Sequence, residues 1–217
     1  MSITPRTLLL VPTELERACL ARQPGFGVDS TCKLCGFGPV AAAARTSSLI
    51  ARYEPARVIL VGIAGTFDSV ALPVGGAAVF ARVLMHGVGV GNGVTFISAD
   101  ALGFQQWEED GIGDELSLAV PVAPVSGALL TCASAAASPD EAAKRRVQVP
   151  EAVAEDMEGF AVALACRLAD VPLVVVRGIS NEVGDRQVNR WHLDDALVSA
   201  WIIATDLVAR RSWESIV

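Results

Sequence analysis

The sequence predicts an α/β protein, a single-domain three-layer α/β/α sandwich on a largely parallel central sheet. Three observations predict it. Short apolar runs, Thr7–Val11 among them, alternate with alanine-rich stretches of helical character. The runs are continuous rather than alternating, the pattern of strands covered on both faces. The 217 residues carry no repeat, charge block or linker to divide them, and that length suits one core spanning residues 1–217.

The elements follow in order. Thr7–Val11 reads as a buried strand ended by Pro12. Residues 13–21 read as a helix, because Thr13 suits an N-cap and Glu16, three residues on, completes a capping-box spacing. Residues 32–36 read as a strand. Residues 39–52 read as a helix, with Pro39 in its first turn and an alanine run behind it. Residues 57–61 read as a strand ending in a glycine turn, Gly62-Ile-Ala-Gly65. Residues 77–85 are β-like and residues 87–93 form a glycine-rich, mobile loop. Ala128–Cys132 is another apolar strand, and residues 140–146 a short helix. Residues 158–168 read as a helix with Pro172 after it, and 173–179 as a strand whose apolar run is broken only by Arg177 and Gly178. Residues 191–211 form a long C-terminal helix, apolar at helical spacing.

Composition excludes several classes. At 52% hydrophobic and 19% charged, the chain is not disordered. With 17 Lys and Arg against 24 Asp and Glu, the formal net charge is −7, which argues against nucleic acid or an anionic membrane as partner. No apolar run approaches the roughly 18 residues of a membrane span, and residues 1–6 lack a signal-peptide pattern. The expected location is cytoplasmic. Five cysteines, an odd number, do not make a disulfide framework. The Cys32-x-x-Cys35 pair lacks the second Cys/His pair of a zinc site, and the helix begins only at Pro39. Ordinary buried or half-buried thiols are expected, and no metal.

In open α/β sheets, ligands bind beyond the carboxyl ends of the strands. Four places there carry something. Pro12-Thr-Glu-Leu-Glu16 follows the first strand, although acids at a helix start also answer the helix dipole. Gly36-Phe-Gly-Pro-Val-Ala-Ala-Ala-Ala44 and the glycines at 62 and 65 let a ligand approach the backbone, yet the full dinucleotide fingerprint is absent. Glu155-Asp-Met-Glu158 precedes a helix, where the dipole again offers a simpler account. Arg177-Gly-Ile-Ser-Asn181 closes the most hydrophobic strand and leads to Glu182-Val-Gly-Asp-Arg186 and Trp191.

In this order the four features resemble the nucleoside phosphorylase/hydrolase superfamily, that of purine nucleoside phosphorylases and methylthioadenosine nucleosidases. The resemblance covers nearly the whole chain. The block from Arg177 to Arg186, with Trp191, is most similar to the futalosine hydrolases, which split futalosine into hypoxanthine and dehypoxanthine futalosine on a route to menaquinone. The resemblance implies an N-glycosidase with a small purine nucleoside as its partner, no metal or organic cofactor, and a homo-oligomer.

It also implies roles. Cleaving an N-ribosidic bond builds positive charge on the ribose and negative charge on the base. Glu16 is the expected water-activating base, with Glu14 two residues away as the alternative. Glu158 is expected to hold the ribose hydroxyls and stabilise the cationic sugar, with Met157 on the sugar face. Ala64 and Gly65 would line the ribose and base, and Ala136 and Ala137 would flank the base. Asn181 stands where adenine-releasing relatives have aspartate. Its amide can donate to N7 and O6 of a 6-oxopurine, although it does not strictly forbid adenine. Leu60 stands where the similar phosphorylases carry a phosphate-binding arginine, which favours water as nucleophile. Arg186 or Arg190, beside Trp191, would meet a distal carboxylate. His86 reads as a solvent-exposed loop histidine, with contact to the substrate as the alternative.

Overall fold

The computed structural model describes residues 6–210, 212 and 213. Residues 1–5 and Arg211, the last residue of the expected C-terminal helix, lie outside the described residues. The elements are β1 (Thr7–Val11), α1 (Glu14–Leu20), β2 (Ser30–Leu34), α2 (Pro39–Tyr53), β3 (Arg57–Thr66), β4 (Ala77–Phe80) and β5 (Arg82–His86). There follow β6 (Gly89–Val90), β7 (Ile97–Ser98), β8 (Glu115–Ser117), β9 (Ala128–Cys132), α3 (Pro139–Gln148) and β10 (Ala152–Asp156). The chain ends with α4 (Gly159–Leu168), β11 (Leu173–Glu182) and α5 (Leu193–Ala209).

The main sheet runs β2-β1-β3-β10-β9-β5-β8, and β11 pairs with both β3 and β4. The pairs β1–β2, β1–β3, β3–β11, β9–β10 and β5–β9 are parallel. The continuous apolar runs are explained by two cores, one on each face. Leu8, Leu10, Val58, Leu60 and Val175 join α2 and α4, with Leu49 and Phe160, on one side. Leu9, Val11, Ile59, Val61, Val174 and Val176 join α5, with Leu197, Trp201 and Leu207, on the other. Arg57, only 3% exposed, ties the end of α5 to the start of β3. It donates to the Val208 and Arg210 carbonyls at 2.7 Å each, satisfying acceptors that a helix end leaves open.

Several elements differ from the sequence reading. The glycines at 62 and 65 make no turn; β3 runs straight through them to Thr66, with β11 paired alongside. The 77–85 segment is two strands, because the chain leaves β11 after Phe80 and joins β9 from Val83. The 87–93 loop contains a short ladder, Gly89–Val90 against Ile97–Ser98. β8 and β10 carry no apolar run long enough to announce them. His86 ends β5 half-buried, its ring edge-on to Phe96 at 4.8 Å, and burial lowers its pKa. Burial raises the Cys32 thiol to about 11 and Cys35 to about 12, so neither is a thiolate near neutrality. No helix among the described residues is long and apolar enough to cross a membrane.

Candidate active site

The site forms where two strand ends meet. β1 accompanies β3 only as far as Leu60. Beyond it β10 takes the same edge of β3 in the opposite direction, Glu155 beside Gly65. The carboxyl ends of β1 and β10 therefore converge, and the residues that follow them, Pro12 to Glu16 and Asp156 to Glu158, close around Gly62. A side chain at Gly62 would strike Arg177 Nη1 and come within 2.7 Å of Glu16 Oε1, so this position accepts only glycine.

Glu16 is 4% exposed. Its Oε2 accepts from Thr13 N at 3.0 Å and Thr13 Oγ1 at 2.5 Å, while Thr13 Oγ1 caps Glu16 N: the capping box the spacing predicts. Its Oε1 reaches outside the box, to Ile63 N at 3.0 Å. A helix cap has no need of that bond; it turns the carboxylate toward β3.

Asp156, Glu158 and Arg177 form a buried charge cluster. Arg177 is fully buried in β11. Its Nη2 and Nε lie 2.5 and 3.0 Å from Asp156 Oδ2, and Nη2 lies 3.3 Å from Glu158 Oε2. Asp156 is saturated, since Thr131 Oγ1 and Gly159 N also donate to it. Arg177 Nη1 is buried with no hydrogen-bond partner among the described residues, beside Glu16. Glu158 Oε1 accepts from Gly38 N at 2.9 Å. Gly38 presents that N–H from a left-handed backbone, φ +81°, which favours glycine. Burial pushes the Glu158 carboxyl up to about 7, against the pull of Arg177.

Asn181 sits past a β-bulge in β11, where the pairing with β3 skips Ser180. Its Oδ1 accepts from Ser180 Oγ at 2.7 Å. Its Nδ2 donates to Glu182 O at 2.8 Å and to Asp185 O at 3.4 Å. Both amide hydrogens thus have carbonyl partners, and only the long bond to Asp185 is weak enough to yield one to a ligand.

Glu16, Asp156, Glu158 and Asn181 line one cavity of about 260 Å³, with Arg177 buried behind them. Among the residues expected at the site, it gathers Glu16, Glu158 and Asn181 with Ala64, Gly65, Ala136 and Met157. Arg186 and Trp191 share its rim, the guanidinium 5.0 Å from the indole ring centre. Ala137 stays outside, its N–H bonded to Glu141, and Ala135 lines the cavity in its place. Arg190 is on the surface, 3.9 Å from Asp185. Leu60 is buried in the core. Sequence reasoning assigned no role to Glu155, Asp156 or Arg177. An arginine inside an apolar strand was the available signal, because a buried cation demands carboxylates. Among the described residues, no three or more His, Cys, Asp or Glu side chains are grouped to hold a metal ion.

Comparison with known proteins agrees with this architecture. The family profile described as Phosphorylase superfamily matches residues 25–209. The 5'-methylthioadenosine/S-adenosylhomocysteine nucleosidase of Colwellia psychrerythraea is 30% identical over 187 residues, covering 80% of this chain and 76% of that protein. The futalosine hydrolase of Streptomyces coelicolor is 32% identical over 202 residues, covering 82% and 79%. Among solved structures, the Colwellia nucleosidase in complex with adenine superposes with a TM-score of 0.79 at 22% identity, covering 96% of each chain. The futalosine hydrolase of Helicobacter pylori superposes with a TM-score of 0.75 at 17% identity, covering 94% and 97%. By its sequence match and its fold, this chain belongs to the Phosphorylase superfamily.

Proposed function

We propose that this protein is a purine nucleosidase that hydrolyses the N-ribosidic bond of futalosine, releasing hypoxanthine. One observation carries the hydrolytic reading: Glu16, Glu155, Asp156 and Glu158 line the cavity, the arginines behind them, Arg177 and Arg145, are ion-paired with Asp156, Glu158 and Glu155, and Arg186 is the lining cation. That charge suits a sugar turning cationic in the transition state. It offers little to a phosphate dianion, which needs cations or dense N–H donors. Glu16 accepts the proton of the attacking water, and Arg177 Nη1, otherwise unpartnered beside it, orients that water. Glu158, held by Gly38 and Arg177, accepts from the ribose hydroxyls. Asn181 supports a 6-oxopurine, because its amide can donate to N7 but cannot deliver a proton as an acid would. Arg186 over Trp191 supplies a cation and an aromatic wall for a distal carboxyphenyl group.

The test is base release from futalosine, inosine and methylthioadenosine, each with and without phosphate. Phosphate-independent hypoxanthine release from futalosine is expected. A phosphate requirement would make the enzyme a phosphorylase, and adenine release would move it to the methylthioadenosine nucleosidases.

The Glu158 carboxyl predicts a pH profile. With its pKa raised from 4.5 to about 7, the acceptor form is lost as pH falls through 7, and kcat/KM should fall with it. Stability responds in the opposite sense. Between pH 4.5 and 7 the folded state holds a proton that the unfolded state has released. The contribution of Glu158 is therefore full below 4.5 and disappears as pH rises through 7. Rate measurements from pH 5 to 9, repeated on Glu158→Gln, check the assignment. A wild-type inflection near 7 that persists in the variant would assign it to another group.

A further inference from the structure

A second cavity, of about 520 Å³, lies at the other end of the sheet. The starts of β1 and β2 and the end of α2 enclose it, and it shares no lining residue with the first. Arg6 before β1, Ser30 and Thr31 of β2, and Arg52 and Tyr53 of α2 line it, together with Asp29. Three separate stretches of chain thus bring donors to one space. Ser30 Oγ is buried in the wall with no hydrogen-bond partner among the described residues. A buried hydroxyl without a partner is costly and calls for one. Turning it toward a ligand by a change of rotamer breaks no existing bond.

The charges around this cavity stand apart from the rest of the chain. The formal net charge is −7, and elsewhere Arg17, Arg82, Arg145 and Arg210 are all ion-paired with carboxylates. Arg6, Lys33, Arg45 and Arg52 have no ion pair among the described residues. Lys33 Nζ lies 5.3 Å and the Arg52 guanidinium 5.5 Å from the centre of the Tyr53 ring. The Tyr53 pKa falls below the ordinary value of a phenol, pulled first by Lys33 and then by the Arg52 and Arg45 charges. Asp29 and Glu54, both exposed, pair with none of these cations. The dipole of α2 accounts for Arg52 in its last turn. It does not account for Arg6 or Lys33, which belong to the strand side of the cavity.

We propose that this cavity binds a phosphate group, free or carried by a small molecule, with Arg6 and Arg52 pairing with its oxygens and Ser30 Oγ donating to it. The planar fork of arginine makes two parallel bonds to phosphate. Donors arriving from three stretches of chain suit a tetrahedral group, whose oxygens point in different directions. A planar carboxylate accepts best near its own plane. The volume leaves room for more than the ion, beside Tyr53 and within reach of Asp29 as an acceptor. No residue of this cavity takes part in base release, so phosphate binds here without entering the reaction.

The test titrates the full chain with inorganic phosphate, glycerol phosphate and acetate at constant ionic strength, and reads Tm. Phosphate at ten times its Kd should raise Tm by about 3–6 °C. Arg52→Gln should weaken its Kd by about tenfold, the loss of one charge-assisted bond. Ser30→Ala should weaken it severalfold without lowering the phosphate-free Tm, because that hydroxyl gives up no bond. Arg186→Gln, which removes the lining cation of the other cavity, should keep the wild-type Kd. An equal Tm rise in wild type and Arg52→Gln would reflect general exclusion of phosphate from the surface, and overturns the proposal. Loss of the rise in Arg186→Gln also overturns it, by moving phosphate to the other cavity. Acetate binding as tightly as phosphate overturns the choice of ligand. Tighter binding of glycerol phosphate than of the free ion would uphold the site with a phosphate monoester as its occupant, and equal affinity would uphold it with the free ion.

Discussion

Replacing Glu16 by glutamine is expected to lower kcat by about 10²–10⁴-fold, the usual range for removing a general base. The side chain keeps its shape and loses its charge. Three donors converge on the carboxylate: Thr13 N, Thr13 Oγ1 and Ile63 N. A glutamine amide must turn its NH₂ toward at least one of them, which weakens the capping box. That alone costs about 1 kcal/mol and lowers Tm by about 2–4 °C in a chain of this size. The two contributions therefore separate. A base shows in kcat at saturating substrate, a cap only in Tm. A variant with a reduced Tm and an unchanged kcat would leave Glu16 as a helix cap and shift the search for the base to Glu14. Glu14 starts from a weaker position, since its carboxylate is exposed and bonded to Arg17.

The contrast between Glu16 and Glu155 explains how far the site was legible. The partner that fixes Glu16 lies three residues away in the same turn, so the spacing of Thr13 and Glu16 is itself the mark of a capping box. Glu155 is fixed by Arg145 on another element and by a backbone N–H of a loop. Neither is marked by spacing, and three acids before a helix have a sufficient local explanation in the helix dipole. The same limit applies to the glycines. Gly62 and Gly65 read as a turn because glycine usually serves turns. Here they keep an extended strand free of side chains where Arg177, Glu16 and Asn181 approach it. Only contacts between strands distinguish these uses, and β10, which brings one of those strands, ends in the two acids that break its apolar run. The layers were readable for the opposite reason. Leu8 and Leu9 face different cores, so burial on both sides writes itself into consecutive residues.

The largest loss of stability is expected from Arg177→Met. Methionine fills much of the volume but leaves Asp156 and Glu158 buried without their cation. Breaking a buried pair from one side costs about 3–5 kcal/mol, which corresponds to a fall in Tm of roughly 6–20 °C at this chain length. The pH dependence identifies the cause. The stranded carboxylates of the variant favour their neutral forms, so their folded-state pKa values rise above the unfolded ones. The variant should regain stability as pH falls and lose it as pH rises, and its deficit against wild type should narrow in acid. A deficit independent of pH would point to lost packing instead. Lysine should not restore the site. Arg177 approaches Asp156 through Nε and Nη2 and reaches Glu158 through the same Nη2, with Nη1 left over beside Glu16. A single ammonium cannot reproduce that planar fork, so Arg177→Lys is expected to recover part of the lost Tm and little of the activity.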